Sequence, residues 1–304
     1  MRKGLVHILA VISMFFWGIS YIWSKIVFEV YSPLTTIFLR LLVSTAFLFL
    51  FVYLTGKVEH IQKEDRWMML LSAFFNPFLY FIGENYGLSL VSASLSAIIV
   101  ATIPVFVPFA AYYFFKEKIQ PVNITGLIIS FAGLFLIVFS GNFELSANPK
   151  GLAFLFLAVT SAIFYSITLK SLTNKYKPLT IITWQNLIGA IFLLPFFLYF
   201  DGKSFFKIVP HTATIVNLIL LGIFASSVAF VLFAYIVKHL GVIKSSLYTN
   251  IIPVFTAIFS FYFLDEHFSL RKIIGILIVI AGVILSEIRK IRFIYKSKKL
   301  SHEN

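Results

Sequence analysis

Residues 92–115 read SASLSAIIVATIPVFVPFAAYYFF, 24 positions without one charged side chain. A helix needs about 20 such residues to cross the hydrocarbon of a bilayer. Hydrocarbon also forces every backbone N–H and C=O to be paired within its own segment, which favours helices over open strands. A spanning barrel would show ten-residue alternation instead. Working outward, comparable runs fill the chain near 5–24, 34–54, 67–88, 121–140, 150–169, 179–200, 212–237, 243–263 and 269–288. Turn-forming or charged breaks separate them: Ser32-Pro33, Thr55-Gly56-Lys57, Asn148-Pro149-Lys150, Lys177-Pro178 and Asp201-Gly202-Lys203. The reading is an all-α polytopic membrane protein with ten transmembrane helices.

Composition agrees. Of 304 residues, 60% are hydrophobic and 12% charged, against about 45–50% and about 25% in soluble domains. Ten spans use nearly the whole chain, so neither a soluble catalytic domain nor a nucleotide-driven motor fits in it. The net charge of +13 is first a topology signal. With a cytoplasmic N-terminus, the inner loops and tail hold 18 Lys and Arg and the outer loops 6, while Arg40 lies inside a span. That imbalance predicts a multi-pass protein of the cell membrane with both termini cytoplasmic, and a basic tail over 289–304 as anchor. Arg2 and Lys3 resemble the basic start of a signal peptide, but no small-residue cleavage site follows, so the first span is read as retained. Scattered basic residues argue against a nucleic-acid partner, and the absence of cysteine excludes disulfides and thiolate chemistry. There is no His-Glu-x-x-His, Gly-x-Ser-x-Gly or phosphate-binding loop with Lys-Ser/Thr. Asp65, Asp201, Asp265, His60, His211, His239 and His267 all fall in connections. Neither enzyme chemistry nor a cofactor or metal is expected.

The run at 92–115 also has an echo. A shift of 149 residues lays Ile103-Pro104-Val105-Phe106 on Ile252-Pro253-Val254-Phe255, Tyr113-Phe114 on Tyr262-Phe263, Glu117 on Glu266, Gly126 on Gly275 and Ala132-Gly133 on Ala281-Gly282. Over 86–135, 14 of 50 positions are identical without a gap. A shift of 145 aligns Lys25 with Lys170 and Pro33-Leu34-Thr35 with Pro178-Leu179-Thr180. Two five-span halves follow, 5–140 and 150–288. Five being odd, the second enters the membrane from the opposite side. Inverted repeats of this kind underlie many secondary transporters, whose sites lie near the midplane between the halves.

Trp17-Gly18, Phe38-Leu39-Arg40, Ser92-Ala93-Ser94, Pro104-Val105-Phe106 ending at Glu117, then Gly126 and Ala132-Gly133, resemble one EamA domain. Pro253-Val254-Phe255, Glu266, Gly275 and Ala281-Gly282 repeat it. Together they resemble a ten-helix carrier of the drug/metabolite transporter superfamily over roughly residues 5–288. The resemblance implies a cavity between the halves, proline-kinked central helices, and export of amino acids, metabolites or drugs. The halves differ chemically: Ser161-Ala162 stands where a second Trp-Gly would fall, and Gln185 where the first half has Arg40.

Polar groups inside apolar runs are the site candidates. Pro104 and Pro253 are read as hinges, each expected to remove a helical hydrogen bond and to clash with the preceding turn. Arg40 and Glu84 are the two ionised groups deep in spans, at similar depth on adjacent antiparallel helices. Such charges pair or line water-filled cavities, so the two are expected to be neighbours. They form either a static clamp or a site in which Arg40 holds a carboxylate or phosphate and Glu84 a cationic group or a proton. Trp17, Tyr21, Tyr80, Asn85, Thr102, Tyr248 and Asn250 complete the expected substrate site, aromatic walls with a few polar anchors that suit a small organic solute. Asn76, Gln185, Asn186 and Asn217 are read as interhelical hydrogen-bond partners. The functional reading is a secondary carrier, more an exporter than an importer, with possible proton coupling; a channel-like facilitator of small polar solutes is the alternative.

Overall fold

The computed structural model is described over residues 3–55, 59–115, 121–138, 147–282 and 284–285. Among these the regular structure is helical. In chain order the helices are α1 (Lys3–Phe28), α2 (Pro33–Thr55), α3 (Arg66–Ala73), α4 (Tyr80–Leu90), α5 (Ala93–Val100), α6 (Ile103–Phe115), α7 (Pro121–Val138), α8 (Pro149–Lys175), α9 (Pro178–Phe196), the short α10 (Gly202–Phe205), α11 (Thr212–Leu220), α12 (Ala229–Leu240), α13 (Val242–Ser246), α14 (Ile252–Phe263) and α15 over 270–282. Their starts follow sequence. Asn148 accepts from the backbone N–H groups of Lys150 and Gly151 with Pro149 in the first turn of α8, and Ser92 accepts from Leu95 N at the head of α5. Glu117 and the basic tail lie outside the described residues.

Among the described residues, six stretches are long and apolar enough to cross a bilayer: Gly4–Phe28, Pro33–Thr55, Ala93–Phe114, Pro149–Lys175, Pro178–Phe205 and Thr212–Leu240. Two more apolar helices, Ile124–Ile137 and Tyr248–Phe263, are shorter. The expected span at 67–88 is broken: Asn76 is extended (φ −146°, ψ 122°) between α3 and α4, and its peptide bond to Pro77 is cis. A wide-turn segment, Leu221–Val228, likewise separates α11 from α12.

The two repeated prolines fall within apolar runs, Ala93–Phe114 and Tyr248–Phe263, that are each interrupted by tight turns just before the proline. α5 ends at Val100, Ala101 and Thr102 form a turn, and α6 restarts with Pro104 as its second residue. Pro253 is likewise second in α14, after a tight-turn stretch over Leu247–Ile251. The missing proline N–H falls in the first turn after the break, where it costs no helical hydrogen bond, and Val100 and Thr249 just before the prolines line an internal cavity.

Packing brings distant segments together. α1 lies on α14 and α12, α8 on α6 and α4, α2 on α9 and on Leu221–Val228, and α9 also on Phe74–Leu79. α7 and α15 approach almost backbone to backbone: a methyl group on Gly133 would lie 2.7 Å from Val279 N, and one on Gly282 2.5 Å from Ser130 N. Small residues at such crossings are how apolar helices associate where lipid is as apolar as they are. Large apolar side chains such as Leu50, Ile128, Leu198 and Leu277 face outward.

Candidate functional site

The helix breaks and crossings leave an internal cavity of about 80 Å³. α1 supplies Trp17, Ser20 and Tyr21, α2 Arg40, and α4 Tyr80, Phe81 and Glu84. Asn76 comes from the break before α4. The opposite wall is Tyr165 and Ser166 of α8, Phe230 and Phe233 of α12, and Ser246, Thr249 and Ile252 around the start of α14. Clefts for drug-sized ligands are commonly about 300–1,000 Å³, so this one holds a few waters or part of a small solute as it stands.

Arg40 is 2% exposed. Its Nε donates to Ser226 Oγ at 2.8 Å, and its Cζ lies 4.1 Å from the centre of the Phe81 ring. The Ser226 bond leaves the terminal amino groups of the fork without an acceptor of their own among the described residues. Glu84 accepts from Tyr80 OH at 2.8 Å through Oε1. Arg40, Glu84, Tyr80 and Tyr21 are close enough to interact electrostatically, yet the ion pairs within 4.0 Å among described residues are Lys175–Asp65, Lys177–Glu59 and Lys272–Glu266. Arg40 and Glu84 thus share a cavity without closing on each other. The buried Tyr21 hydroxyl stands within reach of Glu84 and Tyr80 without closing a well-aligned hydrogen bond to either. A cation with a free fork, a carboxylate and two phenols therefore face one small space.

Of the expected site residues, Trp17, Tyr21, Arg40, Tyr80 and Glu84 line the cavity. Trp17 donates to Ala225 O at 3.3 Å and packs against Phe230 and Phe233. Asn85, Thr102, Tyr248 and Asn250 do not line it. Asn85 is fully buried and donates to Phe81 O, one turn back. Thr102 donates to Ile99 O at 2.6 Å, bonding the turn before Pro104. Tyr248 pairs with His7, and Asn250 is buried in the turns before α14 with its carbonyl oxygen unpaired. Their spacing placed them beside cavity residues; helix rotation turns them away from this cavity.

Gln185 and Asn186 do join helices. Gln185 accepts from Tyr165 OH at 3.3 Å and donates to Ser72 Oγ at 2.7 Å. Asn186 donates to Ser44 Oγ and to Ser226 O, while Ser44 and Ser227 share a 2.6 Å bond. Asn217 bonds only one turn back within α11. Asn76, expected to be such a partner, faces the cavity instead. The residues that sequence reasoning passed over are Tyr165, Ser166, Phe230, Phe233 and Ser246. The chain has 37 Phe and 14 Tyr, so nothing marks the few that converge. Asn76-Pro77 inside an apolar run was the one readable signal, since backbone freed within a membrane is tolerated where it is buried in protein or lines a cavity.

The profile of the EamA-like transporter family matches residues 4–139 and again 149–288. Among curated proteins, the chain is 27% identical over 256 residues to the uncharacterized transporter YetK of Bacillus subtilis (strain 168), covering 83% of this chain and 77% of that protein. An uncharacterized transporter of Archaeoglobus fulgidus is 27% identical over 282 residues, 92% of this chain and 96% of its own. One solved crystal structure superposes with a TM-score of 0.68 at 14% identity, over 94% of this chain and 99% of that one. At that identity the likeness concerns the fold alone.

Proposed function

The chain belongs to the EamA-like transporter family of the drug/metabolite transporter superfamily, and from that premise we propose that it is a secondary carrier exporting a small organic solute by alternating access. It is a multi-pass membrane transporter; substrate, direction and mechanism are our reading. The observation that carries the reading is the cavity in which the Arg40 fork and the Glu84 carboxylate stand close but unpaired. Holding two opposite charges in a low-dielectric space without mutual contact is costly unless something binds between them. A solute with a carboxylate or phosphate on Arg40 and a cationic group near Glu84, its apolar body against Trp17, Phe230 and Phe233, fits that chemistry.

We read the chain as ten spans in two inverted halves, 5–140 and 150–288, followed by the basic tail 289–304. Support comes from helix packing that keeps its pattern when the halves are exchanged. α1 on α14 corresponds to α8 on α6, α1 on α12 to α8 on α4, and α2 on Leu221–Val228 to α9 on Phe74–Leu79. The cavity reaches toward the end of the bundle carrying Val237 and Val242. The excess of basic residues on that side makes it cytoplasmic in our reading, with both termini there and the protein in the cell membrane. Loading from the cytoplasm suits export. Pro104 and Pro253, each opening a helix beside the cavity, are the proposed hinges.

Counterflow in proteoliposomes tests the carrier. A panel of carboxylate-bearing, amine-bearing and zwitterionic solutes should yield one whose uptake is stimulated by the same solute inside; uptake without trans-stimulation would make the protein a channel-like facilitator. Glu84 is the carboxylate on the cavity wall, so proton coupling runs through it. Glu84→Gln should keep counterflow and lose accumulation driven by a proton gradient. Undiminished gradient-driven transport would remove Glu84 from the coupling.

A further inference from the structure

At the end of the bundle opposite Val237 and Val242, the cavity is sealed. Tyr21 and Ile22 of α1, Leu88 of α4, Ala93 and Ala97 of α5, and Ile252 of α14 form a buried apolar plug, with Phe255, Phe259 and Leu264 packed on it. Above the plug stands one carboxylate. Glu266 accepts from Ala93 N at 2.7 Å through one oxygen and from Ser94 Oγ at 2.5 Å through the other. Ser94 Oγ is also 2.9 Å from Ser260 Oγ of α14, and Lys272 Nζ lies 3.5 Å from Glu266. Both carboxylate oxygens are thus spent on the first turn of α5, whose unpaired N–H groups and helix dipole favour an anion.

The turn carrying Glu266 is built to aim it. Leu264 N and Glu266 N both donate to Ser260 O, and Asp265 between them takes the left-handed conformation (φ +50°), which Asp tolerates better than most residues. Both partners in the contact are short rods broken at cavity level: α5 stops at Val100 before the turn of Ala101 and Thr102, and α14 starts after the tight turns of Leu247–Ile251. The α2–α9 pair is different. Asp201 accepts from Ser32 and Thr35 at one end, and at the other Glu59 accepts from Lys177 N and Thr180 Oγ1. That pair is tied at both ends at once, which makes it frame; α5 and α14 are instead each interrupted at cavity level.

We propose that Glu266 is the latch of a gate formed by α5 and α14. Releasing Ala93 and Ser94 lets α5 swing about Ala101–Thr102, parts the plug, and opens the Arg40–Glu84 cavity to the latch end. This rests on the carrier reading and concerns which residue holds one of its two closed states.

The test needs no substrate. The chain contains no cysteine, so Ser20→Cys places a single thiol on the cavity wall. In a separate protein, Ser204→Cys in the exposed connection at the latch end marks which face of a vesicle that end occupies. Labelling with a membrane-impermeant cationic methanethiosulfonate, in right-side-out and inverted vesicles, gives a rate from each side. In the Ser20→Cys background, Glu266→Gln should raise the latch-side rate about five- to thirty-fold, the effect of losing charge-assisted bonds. Ser94→Ala, which keeps the Ala93 bond, should give a smaller rise, and Glu266→Asp should restore part of the slow rate. A measurable latch-side rate that neither Glu266→Gln nor Ser94→Ala changes overturns the latch and leaves alternating access standing. Labelling from the opposite side alone, in parent and variants, overturns both.

Discussion

Arg40 and Gln185 stand 145 residues apart at corresponding places in α2 and α9, and each reaches a serine of the other half. Arg40 donates to Ser226, Gln185 to Ser72. There the likeness ends. Gln185 also accepts from Tyr165, so both ends of its amide are satisfied and α3, α8 and α9 are joined. Arg40 is hydrogen-bonded at Nε alone and rests on the Phe81 ring, in the cavity whose wall also carries Glu84. One repeat position has become a closed joint and its counterpart an open clamp. A repeated sequence can therefore carry a one-sided cavity, which suits the proposed solute with distinct ends.

The largest effect should come from making the two positions alike. Arg40→Gln removes a charge-assisted contact to the solute and should lower counterflow about 10²-fold, as expected for a charged hydrogen bond of up to about 3 kcal/mol. The thermal midpoint in detergent should hold or rise, because an unpaired buried cation is lost. Gln185→Ala should do the reverse, costing about 1–3 kcal/mol of stability by stranding the Tyr165 hydroxyl and leaving Ser72 with Thr168 alone, with counterflow in the surviving protein within about three-fold. Matching losses of transport in both variants would end the distinction.

Ser226→Ala sharpens the same contrast at lower amplitude. It frees Arg40 Nε while keeping the charge, so the half-saturating concentration of a carboxylate-bearing solute should rise about ten-fold with the maximal rate little changed. A drop in maximal rate alone would mean that Ser226 serves helix packing rather than the aim of the fork.

The smallest effect lies at the surface. The hydrogen bond from Lys175, then that from Tyr176, holds the Asp65 carboxyl below the usual carboxylate range. A folded pKa below the unfolded one gives stability that is present above the unfolded value and lost as pH falls through the folded one. Detergent melts of the parent should therefore weaken on acidification below about pH 4 more than those of Asp65→Asn. Parallel pH profiles would remove Asp65 from the acid sensitivity.

Much of this was legible in the chain. Apolar runs and basic loops reported the membrane and a reading of its sides, because lipid leaves a sequence little choice of composition. Arg40 and Glu84 stood out for the same reason, as charges where charge is costly. Pro104 and Pro253 marked real interruptions of apolar runs; what they did not report is where the preceding helix stops, which is set by packing against α8 and α1. Asn85 and Asn250 adjoin the cavity-lining Glu84 and Thr249 in sequence, but one step along a helix is a rotation of about 100°, enough to turn a side chain from cavity to core.

By itself, then, the sequence determined the solvent of this protein, its helical class, the repeat and the two deep charges, all of which follow from the local cost of placing polar atoms in hydrocarbon. Only the tertiary structure decided that Arg40 and Glu84 approach without pairing, that Tyr165, Phe230 and Phe233 of the second half face them, and that Glu266 closes over α5. Those relations join residues on different segments, 44 positions apart for Arg40 and Glu84 and 173 for Ala93 and Glu266, and no local energy term specifies them; they arise where helices cross, from which faces the close-packed contacts leave turned inward.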